Sequence, residues 1–382
     1  MECMLCPRRC GVDRSVTKGF CHMGDKIKVA KTMLHMWEEP SISTRLPEKR
    51  SFARDEEDKP CKKQQFEANR AENTCSAAER VENTRQSVDK TQNMRGSVNK
   101  TENTRGSVDN SENTRGSVDK TENMQGCAEK NGKQGGSGAI FFSGCSLGCV
   151  YCQNRDIRSG EIGKELSVQE LADEMLALQE MGAYNINLVT PTHFADKIAE
   201  SVSLIRDRLK IPIVYNTSGY ELPETIERVS EFVDIFLTDM KYFSPEVSAK
   251  YSFAPDYYLY AKKSFGKMIE AQPKVIIKDG LMKKGIIMRH LVLPGLRRDS
   301  IKILEDVSIN YDISSFKLSL MSQYTPSFCP DKYKELKRKI TTFEYQSVLE
   351  RAIELGYDGY MQDISSSTSL YTPDFRSQAQ KL

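Results

Sequence analysis

Cys145, Cys149 and Cys152 stand in the order Cys-x3-Cys-x2-Cys, within Gly144-Cys145-Ser146-Leu147-Gly148-Cys149-Val150-Tyr151-Cys152-Gln153-Asn154. Thiolates are the ligands of iron–sulfur clusters, and a cubane 4Fe–4S cluster ordinarily takes four of them. Three cysteines would hold three irons and leave the fourth open to another ligand. A zinc knuckle or a loose group of thiols is the competing reading of this spacing. Just upstream, Gly138-Ala139-Ile140-Phe141-Phe142-Ser143 is an apolar run suited to a buried strand. The cysteine loop would then hang from the C-terminal end of that strand, where an α/β barrel keeps its chemistry.

A second group, Cys3, Cys6, Cys10 and Cys21, falls within the first stretch of chain. Four cysteines in so short and core-poor a segment can ligate a structural zinc ion. They can equally hold an auxiliary iron–sulfur cluster, or remain unliganded thiols. The spacing does not separate zinc from iron, because both accept four thiolates in a tetrahedral array.

The chain has 382 residues, enough for one large domain with appendages, and 55 Lys and Arg offset 53 Asp and Glu to a formal charge of +2. That balance argues against a dedicated nucleic-acid surface. No apolar run approaches the length needed to span a bilayer, and Met1-Glu2-Cys3-Met4-Leu5-Cys6 lacks the regions of a secretory signal. A cytoplasmic location is the expectation. Eleven cysteines, an odd number, suit metal ligands or buried thiols better than disulfides in a reducing compartment.

From Val81 to Lys130 the sequence runs in tens: VENTRQSVDK, TQNMRGSVNK, TENTRGSVDN, SENTRGSVDK, TENMQGCAEK. Each unit offers little apolar material beyond a Val and sometimes a Met. Burial cannot then offset the entropy of ordering the backbone, so disorder is expected. Residues 46–134 read as a low-complexity insertion between an N-terminal cysteine-rich segment, 1–45, and a domain over 135–382.

Downstream of the cysteine loop, strand-like and helix-like segments alternate, the pattern of a parallel α/β sheet. Ser167-Val168-Gln169-Glu170 is a capping box that opens an amphipathic helix. Further strands are expected at 185–190, 211–215, 234–237, 285–293 and 316–320, with a closing helix from Thr342 to Gly356. Six strand–helix repeats suit an open, partial (β/α)6 barrel of TIM type. Polar residues cluster near the C-terminal strand ends: Asn187 and Thr190, then Asn216, Thr217 and Ser218, then Asp239 and Lys241, then Gln323 and Tyr324. His290 lies on the fifth strand, as a ligand contact or as a satisfied interior histidine. Such a face would hold a cofactor with ribose and amino-acid ends.

The cysteine loop, with Tyr151 before its last cysteine, resembles the radical S-adenosylmethionine superfamily. Cys6-Pro7-Arg8-Arg9-Cys10-Gly11-Val12, Trp37-Glu38-Glu39-Pro40, Phe142-Ser143-Gly144-Cys145, Cys152-Gln153-Asn154 and Asn187-Leu188-Val189-Thr190-Pro191-Thr192-His193 bring the likeness closer. They resemble the pyruvate formate-lyase activating enzyme-like proteins, in a branch with an N-terminal cysteine segment. Asp239-Met240-Lys241 and Leu293-Pro294-Gly295 look like that group's strand-end motifs. The resemblance implies a 4Fe–4S cluster on Cys145, Cys149 and Cys152, with S-adenosyl-L-methionine on its open iron. It implies Tyr151 beside the adenine, Asn216 to Ser218 near the ribose, and Asp239 and Lys241 near the methionine moiety or the site of hydrogen abstraction. One departure stands out: activating enzymes carry a Gly-Gly-Glu-Pro-type run after the second strand. Here Leu188-Val189-Thr190-Pro191-Thr192 has neither the paired glycines nor the glutamate. Thr190, Thr192 or exposed carbonyls would substitute.

The function implied is reductive cleavage of S-adenosylmethionine to a 5′-deoxyadenosyl radical for hydrogen abstraction. An electron donor of flavodoxin or ferredoxin type and a glycyl radical enzyme are the implied partners, with no membrane or nucleic acid. The alternatives are a radical enzyme modifying a peptide or small metabolite with an auxiliary cluster, and a non-catalytic iron–sulfur electron carrier.

Overall fold

The structure is a computed structural model that describes residues 2–36, 38–45 and 135–362. Trp37, the repeat insertion expected to be disordered, and the C-terminal tail from 363 lie outside the described residues. Met1–Ala53 and Ala128–Leu382 form one unit.

Its elements in chain order begin with β1 (Ile27–His35), α1 (Pro40–Ser43), β2 (Gly136–Phe142), α2 (Arg155–Arg158) and β3 (Lys164–Leu166). Next come α3 (Val168–Glu180), β4 (Ala183–Val189), α4 (Ala195–Ile205), β5 (Ile213–Thr217), α5 (Pro223–Val229) and β6 (Ile235–Asp239). Then follow α6 (Pro245–Ser252), α7 (Tyr257–Ala271), β7 (Ile276–Lys278), β8 (Leu281–Leu291), α8 (Arg297–Asn310), β9 (Lys317–Met321), α9 (Thr342–Glu354) and β10 (Gly359–Met361). The six expected strands are β2, β4, β5, β6, β8 and β9. They lie side by side in that order, each parallel to the next. The α/β class with a parallel sheet therefore holds.

Four short or irregular strands were not foreseen. β10 adds parallel to β9, while β1 pairs antiparallel with β2 and β3 antiparallel with β1. β7 pairs antiparallel with β8. β3, β7 and β10 have three residues each, and β7 is exposed throughout, so they present no apolar period to read. The pairing of β1 with β2, with His35 opposite Ser137, makes the N-terminal segment part of the sheet.

Alternation along the strands sorts side chains to two faces. One face carries Ile140, Phe142, Ile186, Leu188, Tyr215, Phe236, Ile286, Met288, Leu318 and Leu320, which pack with α3, α4, α5, α7, α8 and α9. The capping box at Ser167 and Glu170 opens α3 as expected, and a second, Thr341 with Glu344, opens α9. The other face holds α1. Ile42 is wholly buried in a cluster with Val214, Ile235, Leu237, Met282 and Ile287, against which Tyr360 of β10 packs. Asn185 of β4 donates to the Ile42 carbonyl at 2.6 Å. In a flat sheet β4 and β10 would be about 24 Å apart, at ~4.8 Å per strand gap. Meeting around one short helix requires the sheet to curve, with α1 on its concave side.

Candidate active site

β2 delivers the cysteine loop directly. Gly144 follows the strand at φ +86°, and a Cβ there would meet the Cys21 carbonyl at 2.5 Å, so a side chain is excluded by both conformation and space. Cys145, Cys149 and Cys152 are half-buried and free. Donors aim at two of the sulfurs: the Leu147 amide at Cys145 Sγ (3.4 Å) and the Ser252 hydroxyl at Cys149 Sγ (2.9 Å). Burial pushes the Cys145 thiol up strongly and the Cys152 thiol up to about 11, with Cys149 adding to both and Lys241 partly opposing. These thiols ionise readily only beside a compensating positive centre.

No group of three or more His, Cys, Asp or Glu side chains among the described residues stands in an arrangement for a single metal ion. A cubane cluster makes a different demand, because each thiolate binds a separate iron and the sulfurs stay apart. Three half-buried thiols on one short loop, with donors to two sulfurs, fit that demand.

The strand ends supply a charged constellation on the concave face. Lys241 Nζ bonds Asp239 Oδ2 at 2.6 Å, and Arg289 Nε bonds Asp239 Oδ1 at 2.8 Å. Arg289 Nη2 also donates to Asn216 Oδ1 at 2.6 Å, and its Nη1 stands 3.9 Å from Glu38 Oε2. Burial would raise Asp239, but Arg289 and Lys241 together hold its carboxyl below the usual range. Burial would lower Lys241, and Asp239 and Cys149 reverse that. The Lys241 charge thus interacts with both the strand-end carboxylate and the cysteine loop. Asn187, on the same concave face, is fully buried, and neither atom of its amide finds a hydrogen-bond partner among the described residues. A buried, unpartnered amide beside such charges suits a polar ligand.

The other expected site residues divide. β5 ends at Thr217, two residues past the expected end, so alternation splits the trio. Asn216 faces Arg289, while Thr217 turns to the helical side and its hydroxyl bonds buried Glu221. The Ser218 carbonyl accepts from Tyr257 at 2.8 Å. Thr190 ends β4 at φ +61°, a strained conformation for a β-branched residue, and its amide bonds the Asn216 carbonyl at 2.8 Å. Tyr151 is buried beneath the loop, its hydroxyl 2.6 Å from that of Tyr242, which is 2.7 Å from Ser252 Oγ. A hydroxyl chain therefore runs from Tyr151 to the Cys149 sulfur. His290 is one residue past Arg289 and faces the helices, with Nδ1 2.6 Å from the Met240 carbonyl. Burial pushes it down to about 4, and the charges of Lys241 and Asp239 act on it in opposite senses. The N-terminal cysteines form a separate group.

Sequence reasoning passed over Arg289, Glu38, Ser252 and Glu221 as site residues. Arg289 shares the inward period of Ile287, a signal available once β8 is placed. Ser252 carries no sequence signal, since only the packing of the C-terminal end of α6 brings it to Cys149.

Residues 139–307 match the radical SAM superfamily. An uncharacterized protein of Methanocaldococcus jannaschii is 28% identical over 58% of this chain and 63% of its own length. The chain thus spans somewhat less than two thirds of that relative. The pyruvate formate-lyase-activating enzyme of Clostridium pasteurianum is 23% identical over 52% of this chain and 78% of its own. HydG, a maturase of the FeFe-hydrogenase, aligns at TM-score 0.41 with 14% identity, over 57% of this chain and 48% of that one. The chain carries a radical SAM domain, with pyruvate formate-lyase-activating enzyme homologues at low identity. No helix among the described residues is long and apolar enough to cross a membrane.

Proposed function

We propose that the chain is a radical enzyme that holds a 4Fe–4S cluster on Cys145, Cys149 and Cys152 and cleaves S-adenosyl-L-methionine reductively. The observation that carries this reading is the three-cysteine loop at the C-terminal end of β2, whose thiols feel the charge of Lys241, itself paired with Asp239 at 2.6 Å. When bound, the cluster and S-adenosylmethionine would supply one-electron cleavage to a 5′-deoxyadenosyl radical that abstracts hydrogen. The chain's own residues bind, orient and shield. Ser252 and the Leu147 amide stabilise thiolate sulfur. Asp239, flanked by two cations, remains ionised and able to receive a positive group, while Lys241 and Arg289 can receive a carboxylate. Asn187 and Asn216 offer amides to hydroxyl-bearing parts of a ligand, and Thr190 stands where the activating enzymes' paired glycines and glutamate are missing.

A protein glycyl residue is the first candidate substrate, and an electron donor of flavodoxin or ferredoxin type the expected redox partner, in the cytoplasm. The distant activating-enzyme homologues support that choice of substrate. The test is anaerobic reconstitution with iron and sulfide, followed by dithionite and S-adenosylmethionine and chromatography for 5′-deoxyadenosine. Product is expected from the native sequence and none from Cys149→Ala. Product from the variant, or none from fully loaded native protein, would overturn the assignment.

A further inference from the structure

The cysteines at positions 3, 6, 10 and 21 lie outside the site just described, in one short segment that folds on itself. Cys6 is within electrostatic reach of Cys10 and Cys21, and Cys21 of Cys3 and Cys10. Gly19 is wedged between two of them: a Cβ there would stand 3.6 Å from both Cys10 Sγ and Cys21 Sγ. Backbone amides point at three sulfurs, Arg8 at Cys6, Phe20 at Cys10 (3.3 Å) and Met23 at Cys21. The segment is folded tightly for its length, with the Cys3 amide bonded to the Val12 carbonyl and the Gly11 amide to the Cys3 carbonyl. Amide donors directed at sulfur stabilise thiolate, which a free thiol does not need.

The same segment grips the cluster loop. The Cys145 amide donates to the Cys21 carbonyl at 3.3 Å. Arg8 donates to the carbonyls of Ser146 (2.9 Å), Phe253 (2.5 Å) and Ser252 (3.3 Å), and its guanidinium lies 3.9 Å from the centre of the Phe20 ring. Ser252 is the residue whose hydroxyl reaches Cys149.

We infer that Cys3, Cys6, Cys10 and Cys21 hold a second, fully ligated iron–sulfur cluster that keeps Arg8 and Cys21 against the cluster loop. Each thiolate would bind a separate iron, so the sulfurs stay apart, in keeping with the lack of a single-ion site among the described residues. Each thiol that binds releases its proton to solvent. The centre has no open ligand position for substrate, so its part is to fix the loop.

The test uses the full chain with Cys145, Cys149 and Cys152 all changed to Ala, so that only the N-terminal thiols report. After anaerobic purification and reconstitution, zinc, iron and sulfide are measured. About four iron with four sulfide per chain is expected, and about one zinc without iron would overturn the cluster. Adding Cys6→Ser and Cys10→Ser should remove that metal. Should the buried Cys6 prove necessary for folding, Cys3→Ser with Cys10→Ser, both half-buried, replaces that pair. Metal-free protein, or metal that survives these substitutions, overturns the proposal. In the otherwise native chain, Arg8→Ala should keep the N-terminal metal yet lose iron from the Cys145 loop severalfold faster under a chelator. An unchanged rate overturns the coupling.

Discussion

Asp239 accepts from two cations at once, Lys241 and Arg289, in a setting that is nearly dry. Removing one member of such a group leaves the others buried without a counter-charge. Asp239→Asn should cost roughly 3–5 kcal/mol, read as a fall in urea midpoint, and a loss under about 1 kcal/mol would mean water reaches the cations. Glu221 is the opposite case. It is wholly buried, its Oε1 accepts from the Thr192 and Thr217 hydroxyls, and burial pushes its carboxyl from 4.5 up to about 7. Between those pH values the unfolded chain has released a proton that the folded chain keeps. The contribution of Glu221 to stability therefore falls as pH rises through that window, by on the order of 3 kcal/mol in all. Glu221→Gln keeps an oxygen for both hydroxyls and cannot ionise. Buried His193 and His290, pushed down from 6.5 to about 3 and about 4, add a rise below pH 6.5 to both proteins. Unfolding in urea from about pH 5 to 8 should therefore show the native stability falling relative to the variant's by on the order of 3 kcal/mol. A constant difference would remove Glu221 as the cause.

Among the elements, α1 is the least expected contributor. Four residues make no helix by themselves, because nucleation fixes several residues for the first bond. Pro40 at its start and the Ile42 anchor compensate, together with Asn185 at the Ile42 carbonyl. Ile42→Ala should destabilise the fold by about 2–5 kcal/mol, the range for an aliphatic side chain in a closed core. A urea series giving less than about 1 kcal/mol would show that the concave face collapses easily around the gap. The strands teach a related point. Asn216, Thr217 and Ser218 read as one polar turn in sequence, but β5 continues through Thr217 and sends only Asn216 inward. His290 and Arg289 separate likewise, since a period of two places neighbours on opposite faces.

At the scale of the whole molecule, the residues that flank the insertion, Arg45 and Gly135, meet the same ring. The Arg45 guanidinium lies 5.7 Å from the centre of the Tyr184 ring, and a Cβ at Gly135 would meet that ring at 2.1 Å. A short Gly/Ser linker can therefore join 45 to 135 without pulling α1 from the concave face. The protein lacking 46–134 should form 5′-deoxyadenosine at nearly the native rate in the anaerobic assay. A large loss from a soluble deletion protein would show that the repeat takes part in the reaction.

The sequence alone determined the cysteine loop, the six parallel strands and the capped helix after Ser167. These signals are local: ligand spacing, apolar period and side-chain capping all act within a few turns of chain. It also singled out Asp239 and Lys241, because both stand at the end of one readable strand. The tertiary structure alone decided that Glu38 and Ile42, far upstream, enter the concave face with them. It decided too that Arg289 rather than His290 completes the charged group, and that Ser252 and Arg8 reach the cysteine loop. Those contacts depend on curvature and on chain segments separated by up to 245 residues, and no short-range preference records them.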